Sequence, residues 1–158
     1  MGLNSVLAEG QVGAPPEDVY RYISDMTNHH HRFLPPAFSD FEVVSGGTGA
    51  GTVTTFRFTA GGRARDFRMT ASEPEPGRRL VETDANSSSV TTFTVDAASG
   101  GTSKVTIRTE WQGAGGIGGF FERMFAPRVM RSIYADELRR LDAYAREQAA
   151  SPGGARAD

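Results

Sequence analysis

The stretch TVTTFRFTAGGRARDFRMTAS, residues 52–72, decides the fold. In its first half Thr54, Phe56 and Phe58 fall on one face, and Val53, Thr55 and Arg57 on the other. In its second half Phe67, Met69 and Ala71 alternate with Arg68 and Thr70. A period of two marks a strand with one face buried. Gly61-Gly62 supplies the tight turn between the halves. A connector this short joins antiparallel neighbours, because a parallel crossover needs a dozen or more residues.

The same grammar continues in both directions. Downstream, Arg79 to Ala85, Val90 to Ala97 and Lys104 to Gln112 read as strands, separated by turns at residues 73–77, 86–89 and 99–102. Val105, Ile107, Thr109 and Trp111 share one face of the last. Upstream, Phe41 to Val44 leads into the glycine-rich loop 45–51, and residues 5–13 form a first strand with Val6, Ala8, Gly10 and Val12 on one face. Ala14-Pro15-Pro16-Glu17-Asp18 opens a helix, since proline lacks only an N–H that has no partner there and acids suit the positive helix end. Val19, Tyr22, Ile23 and Met26 are its apolar stripe. Thr27-Asn28 reads as the cap of a short helical turn over His29, His30 and His31, ended by Pro35-Pro36. Residues 117–148 read as one long amphipathic helix, ~45 Å in length, kinked at Pro127. The expected architecture is α+β: seven curved antiparallel strands, two short helices after the first, and a terminal helix. Residues 1–148 are expected to form one domain and 149–158 a disordered tail.

Composition narrows the function. The chain has 158 residues, of which 38% are hydrophobic and 23% charged, as in an ordinary folded domain. Seventeen basic against 19 acidic residues leave a net charge of −2, with no basic footprint for nucleic acid or an anionic membrane. The absence of cysteine excludes disulfides, thiolate catalysis and zinc–thiolate sites. No run approaches ~18 apolar residues, so no membrane span is expected. Residues 1–5 lack a basic region leading into an apolar one, so a secretory signal is not expected and the cytoplasm is the expected location.

A broad sheet with one apolar face needs a cover, and the terminal helix is the only large one. One helix about 10 Å wide cannot fill so broad a concavity. Either bulky side chains fill the rest or a cavity remains, and apolar cavities with a few polar groups are the usual small-molecule sites. The candidate lining is Phe33, Phe56, Phe58, Phe67, Met69, Phe93, Trp111, Phe121, Phe125, Met130 and Tyr134.

Several segments carry a family resemblance. Gly13-Ala14-Pro15-Pro16-Glu17-Asp18-Val19-Tyr20, Asp25 with Phe33-Leu34-Pro35, Gly49-Ala50-Gly51-Thr52, Gly100-Gly101-Thr102-Ser103-Lys104-Val105-Thr106, and residues 120–141 with Pro127 occur in a telling order. Together they resemble the START-like helix-grip (SRPBCC) superfamily, in its polyketide cyclase/dehydrase and lipid-transport branch, over about residues 5–147. The resemblance implies a helix-grip fold around a hydrophobic ligand. Its members cyclise polyketides, transfer lipids or assist protein partners, so fold alone does not assign the activity.

Individual residues suggest candidate chemistry. Gly113-Ala-Gly-Gly-Ile-Gly118 matches a dinucleotide fingerprint, but the second parallel strand is missing and the acids at the right distance, Asp136 and Glu137, fall within the helix itself, so no cofactor is expected. His29, His30 and His31 point in different directions on a helical turn and do not converge on a metal. His31, Tyr134 and Thr109 are the candidate acid/base and hydrogen-bonding residues. Arg57 and Arg68 fall on the outer parity, although a bulge between Gly61 and Ala71 would turn Arg68 inward. The parity of Glu82 and Asp84 is open. Three functions are compatible: a carrier of a hydrophobic polyketide- or lipid-like molecule, a cyclase or dehydratase promoting aldol-type ring closure, and a protein-partner module. A titratable group deep in the cavity separates the first two.

Overall fold

The computed structural model describes residues 3–112 and 126–151. Along the chain come β1 (Leu3–Val12), α1 (Pro16–Ser24), a 3-10 turn (His30–Phe33), β2 (Phe38–Ser45), β3 (Val53–Ala60), β4 (Arg63–Glu75), β5 (Arg79–Asp84), β6 (Val90–Ala98), β7 (Thr102–Gln112) and α2 (Pro127–Ala150). The seven strands form one antiparallel sheet in the order β1-β7-β6-β5-β4-β3-β2. Consecutive strands from β2 to β7 are neighbours, and β1 joins the far edge beside β7. The β3–β4 hairpin turns at Gly61 and Gly62, whose φ of 57° and 76° lie in the left-handed region that glycine enters without a Cβ penalty.

The alternation read from sequence is the alternation of burial. Val6 and Val12, Phe58, Phe67, Met69 and Ala71, and Val105, Ile107, Thr109 and Trp111 all turn to the inner face. Register shifts in β2 at Ser39/Glu42 and Val43/Ser45, and between β4 and β5 at Ser72/Glu75, interrupt the ladder as bulges do. Tyr20 on α1 donates to Glu73 Oε2 at 2.7 Å, and Glu73 Oε1 accepts the Ala50 N–H at 2.9 Å, tying helix, loop and β4 together.

The described part of α2 lies across β1 with Met130, Tyr134, Glu137, Leu138, Leu141, Tyr144 and Ala145 buried. The approach is close because Gly10 has no side chain: a Cβ there would lie 3.2 Å from Leu138 Cβ. Asp142 fixes the far end by accepting the Gly13 N–H at 2.8 Å.

Two local expectations are corrected. Pro127 stands at the first position of the described helix, with Ala126 extended before it (φ −51°, ψ 129°), because proline forces its predecessor out of helical backbone. The break therefore lies at the start of α2, and residues 117–125 fall outside the described residues. Thr27-Asn28 does not cap the histidine turn: its N-cap is His29, without a side-chain cap hydrogen bond, and the Asp25 carboxylate instead accepts the N–H groups of Thr27 (3.1 Å) and Asn28 (2.9 Å) in the turn before it. The tail from residue 152 also lies outside the described residues. Among the described residues no helix is long and apolar enough to cross a membrane.

Candidate active site

The inner face of the sheet, the histidine turn and α2 enclose an apolar cavity. Its walls include Leu34, Phe38, Phe41, Phe56, Phe58, Phe67, Met69, Phe93 and Met130. Its polar lining is His30, Glu82, Ser89, Thr91, Thr109, Tyr134 and Glu137. The cavity volume is about 40 Å³, room for a water or two, so a larger ligand requires the walls to part.

The polar groups are placed by strand register. Glu82 on β5 faces Thr91 on β6, and Thr91 faces Thr109 on β7, so three strands line up one polar row. Thr91 and Thr109 hydroxyls are 2.8 Å apart, and the Tyr134 hydroxyl on α2 closes on Thr109. Three O–H donors share two hydrogen bonds, which leaves one donor for another acceptor. Burial pushes the Tyr134 phenol well above its ordinary range, partly offset by the Thr109 hydrogen bond.

One helical turn beyond Tyr134, Glu137 is 2% exposed and its Oε2 has no hydrogen-bond partner. That oxygen lies 3.9 Å from His30 Nε2, beyond hydrogen-bonding reach. His30 Nδ1 is 2.6 Å from the Ile23 carbonyl, which only accepts, so Nδ1 carries the proton and Nε2 presents a lone pair. Burial pushes His30 down to about 4. Burial pushes Glu137 up to about 8, reinforced by the charges of Glu82 and Asp136. Burial also pushes Glu82 up to about 7. Glu137 and His30 are thus both neutral at neutral pH and do not form an ion pair.

Phe56, Phe58, Phe67, Met69, Phe93, Thr109, Met130 and Tyr134, named from the sequence, all line this cavity. Three others do not. His31 is exposed and stacks on Phe41 at 6.0 Å. Residues three apart eclipse on a 3-10 turn, so His30 and Phe33 share the inner side and His31 falls outside. Phe33 is buried behind His30 and against Tyr144, and Trp111 is buried in β7 opposite Asn4, away from the cavity walls. Phe121, Phe125 and the Gly113–Gly118 motif lie outside the described residues. The β3–β4 register runs unbroken from Val53↔Thr70 to Ala60↔Arg63, so Arg68 stays exposed, as does Arg57. Sequence reasoning left the parity of Glu82 open and missed His30, Ser89, Thr91 and Glu137 among the polar lining. For Glu137 a signal existed, since it lies three residues from Tyr134 on the buried stripe of α2.

Among the described residues no three metal-ligating side chains converge. Residues 5–146 match the family described as polyketide cyclase / dehydrase and lipid transport. The chain belongs to this family. A solution structure of the KanY protein is 36% identical, with a TM-score of 0.80 over 92% of this chain and 99% of that one. The TTHA0849 protein from Thermus thermophilus is 22% identical, with a TM-score of 0.74 over 94% of this chain and 100% of that one. The Zhui aromatase/cyclase from Streptomyces sp. R1128 shares the fold at 15% identity, with a TM-score of 0.73 over 97% of this chain and 99% of that one. No curated protein matches the sequence. For this family member the helix-grip architecture is that of a hydrophobic-ligand-binding fold.

Proposed function

We propose that the cavity takes up an apolar, carbonyl-bearing molecule of polyketide-like kind and moves protons on it, as a cyclase or dehydratase requires. The observation that carries this reading is the pair of buried carboxyls, Glu82 from the sheet and Glu137 from α2, lining one apolar cavity, with Glu137 Oε2 unpartnered. Glu137, protonated at neutral pH, donates to the carbonyl oxygen. Glu82, titrating near neutral pH, accepts the proton from the α-carbon. The product is the enol, the nucleophile of an aldol closure, and acid/base groups with pKa values near the working pH are the efficient ones. His30 and the Tyr134–Thr109–Thr91 hydroxyls orient the ligand's oxygens, while His31 lies outside this chemistry. A carrier of a polyketide- or lipid-like molecule is the second reading, favoured by the predominantly apolar walls and the narrow free space.

The test is deuterium incorporation at the α-methyl of 2-acetylnaphthalene in D2O. We expect the protein to accelerate it, by roughly a hundredfold if one positioned general base acts, and Glu137→Gln and Glu82→Gln each to remove most of that acceleration. Binding without any acceleration sinks the catalytic reading and leaves the carrier.

A further inference from the structure

We infer that the cavity selects its ligand by charge: it admits apolar molecules that are neutral or carry an amine at the buried end, and turns away those ending in a carboxylate. This deepens the cavity reading and rests on it. The lining among the described residues holds two carboxyls, from β5 and α2, and neither lysine nor arginine. The one imidazole is held neutral by burial, which outweighs the opposing effect of its hydrogen bond to the Ile23 carbonyl. Its N–H is spent on that carbonyl, and the nitrogen turned to Glu137 presents a lone pair. In the Tyr134–Thr109–Thr91 row, two of the three O–H donors are spent within the row itself. A ligand carboxylate would therefore find one O–H of that row, the Ser89 hydroxyl and the Glu137 proton at most, with Glu82 repelling it in a low-dielectric site. An alcohol or an amine instead brings a donor to Glu137 Oε2, an unpartnered oxygen on a residue only 2% exposed. An ammonium group also finds carboxyls that can ionise to pair with it. Free fatty acids are the ligands this chemistry excludes.

The test uses one apolar body with three heads: 2-naphthylmethanol, 2-naphthylmethylamine and 2-naphthoate, titrated calorimetrically into the full chain near neutral pH. We expect 2-naphthoate to bind at least tenfold more weakly than the alcohol, ~1.4 kcal/mol, and the amine at least as tightly as the alcohol. Glu82→Gln/Glu137→Gln should narrow the alcohol-to-carboxylate ratio at least tenfold, and a denaturation midpoint verifies that the variant is folded. Carboxylate affinity within threefold of the alcohol overturns the inference. So does an amine bound as weakly as the carboxylate, because discrimination would then be against charge of either sign. If none of the three binds, the cavity reading falls and takes this inference with it; if all three bind alike, only the charge selection falls.

Discussion

Replacing Glu137 by Gln should stabilise the protein increasingly as pH rises from about 5 to about 8. In the unfolded chain the carboxyl titrates near its ordinary 4.5, and in the fold burial pushes it up to about 8. Between those values the folded state holds a proton that the unfolded state has lost. Its contribution is thus fully present below the unfolded value and lost as pH rises through the folded one. At ~1.4 kcal/mol per pKa unit the span caps the loss at about 5 kcal/mol. Part of the shift comes from the Glu82 charge, so the pair titrates together and about half of that cap is the expected effect of removing one member. His30 acts with the opposite sign. Held down to about 4, it contributes stability that is present above its unfolded value near 6.5 and lost as pH falls. Comparing variant with wild type at each pH removes that common slope. In urea denaturation, the two proteins should be nearly equal near pH 5, and Glu137→Gln more stable by ~2–3 kcal/mol near pH 8.5. A variant no more stable than wild type at the higher pH would show that Glu137 is not a buried, proton-holding acid, and the acid/base site would lose its main member.

His30→Ala should cost ~2–4 kcal/mol, because it removes a buried ring packed on Phe33 and Phe93 and leaves the Ile23 carbonyl unpaired. His31→Ala should cost under ~0.5 kcal/mol in the same urea denaturation, and the reverse order would contradict the inward placement of His30. Tyr134→Phe should cost ~1 kcal/mol, since Thr109 keeps Thr91 as a partner; a loss several times larger would mean the hydroxyl does more than close the chain. Gly10→Val should cost ~1–3 kcal/mol by pushing α2 off β1, and Leu138→Ala in the same chain should return part of it. Additive losses in that double-mutant cycle would show that Gly10 does not set the helix–sheet distance.

The strands were legible because Phe56/Phe58 and Phe67/Met69 alternate strictly around a Gly-Gly turn, so one period fixes pairing and inner face together. Pro127 was legible as a disturbance and read as a kink within one helix; the backbone of Ala126 puts it at a helix start instead. The apolar walls of the cavity followed from strand parity. Its acids did not. Leu80 and Val81 are apolar neighbours, so either could have faced inward, and only the pairing of Glu82 with Thr91 turns the carboxyl into the cavity. His30 and His31 are indistinguishable until the turn is known to be 3-10 and its i, i+3 face is set by Phe33. Glu137 sat in plain view on the stripe of Tyr134, Leu138 and Leu141, where a buried carboxyl is the less common occupant.

The central claim is that this cavity, walled by sheet and helix, opens to an apolar ligand. The most direct measurement is NMR of methyl-13C-methionine protein titrated with 2-naphthylmethanol. Met69 and Met130 line the cavity, whereas Met26 is buried outside its walls. Shifts and ligand NOEs at Met69 and Met130, with Met26 unmoved, are the expected result. Saturating ligand that leaves both cavity methyls unchanged would contradict the account.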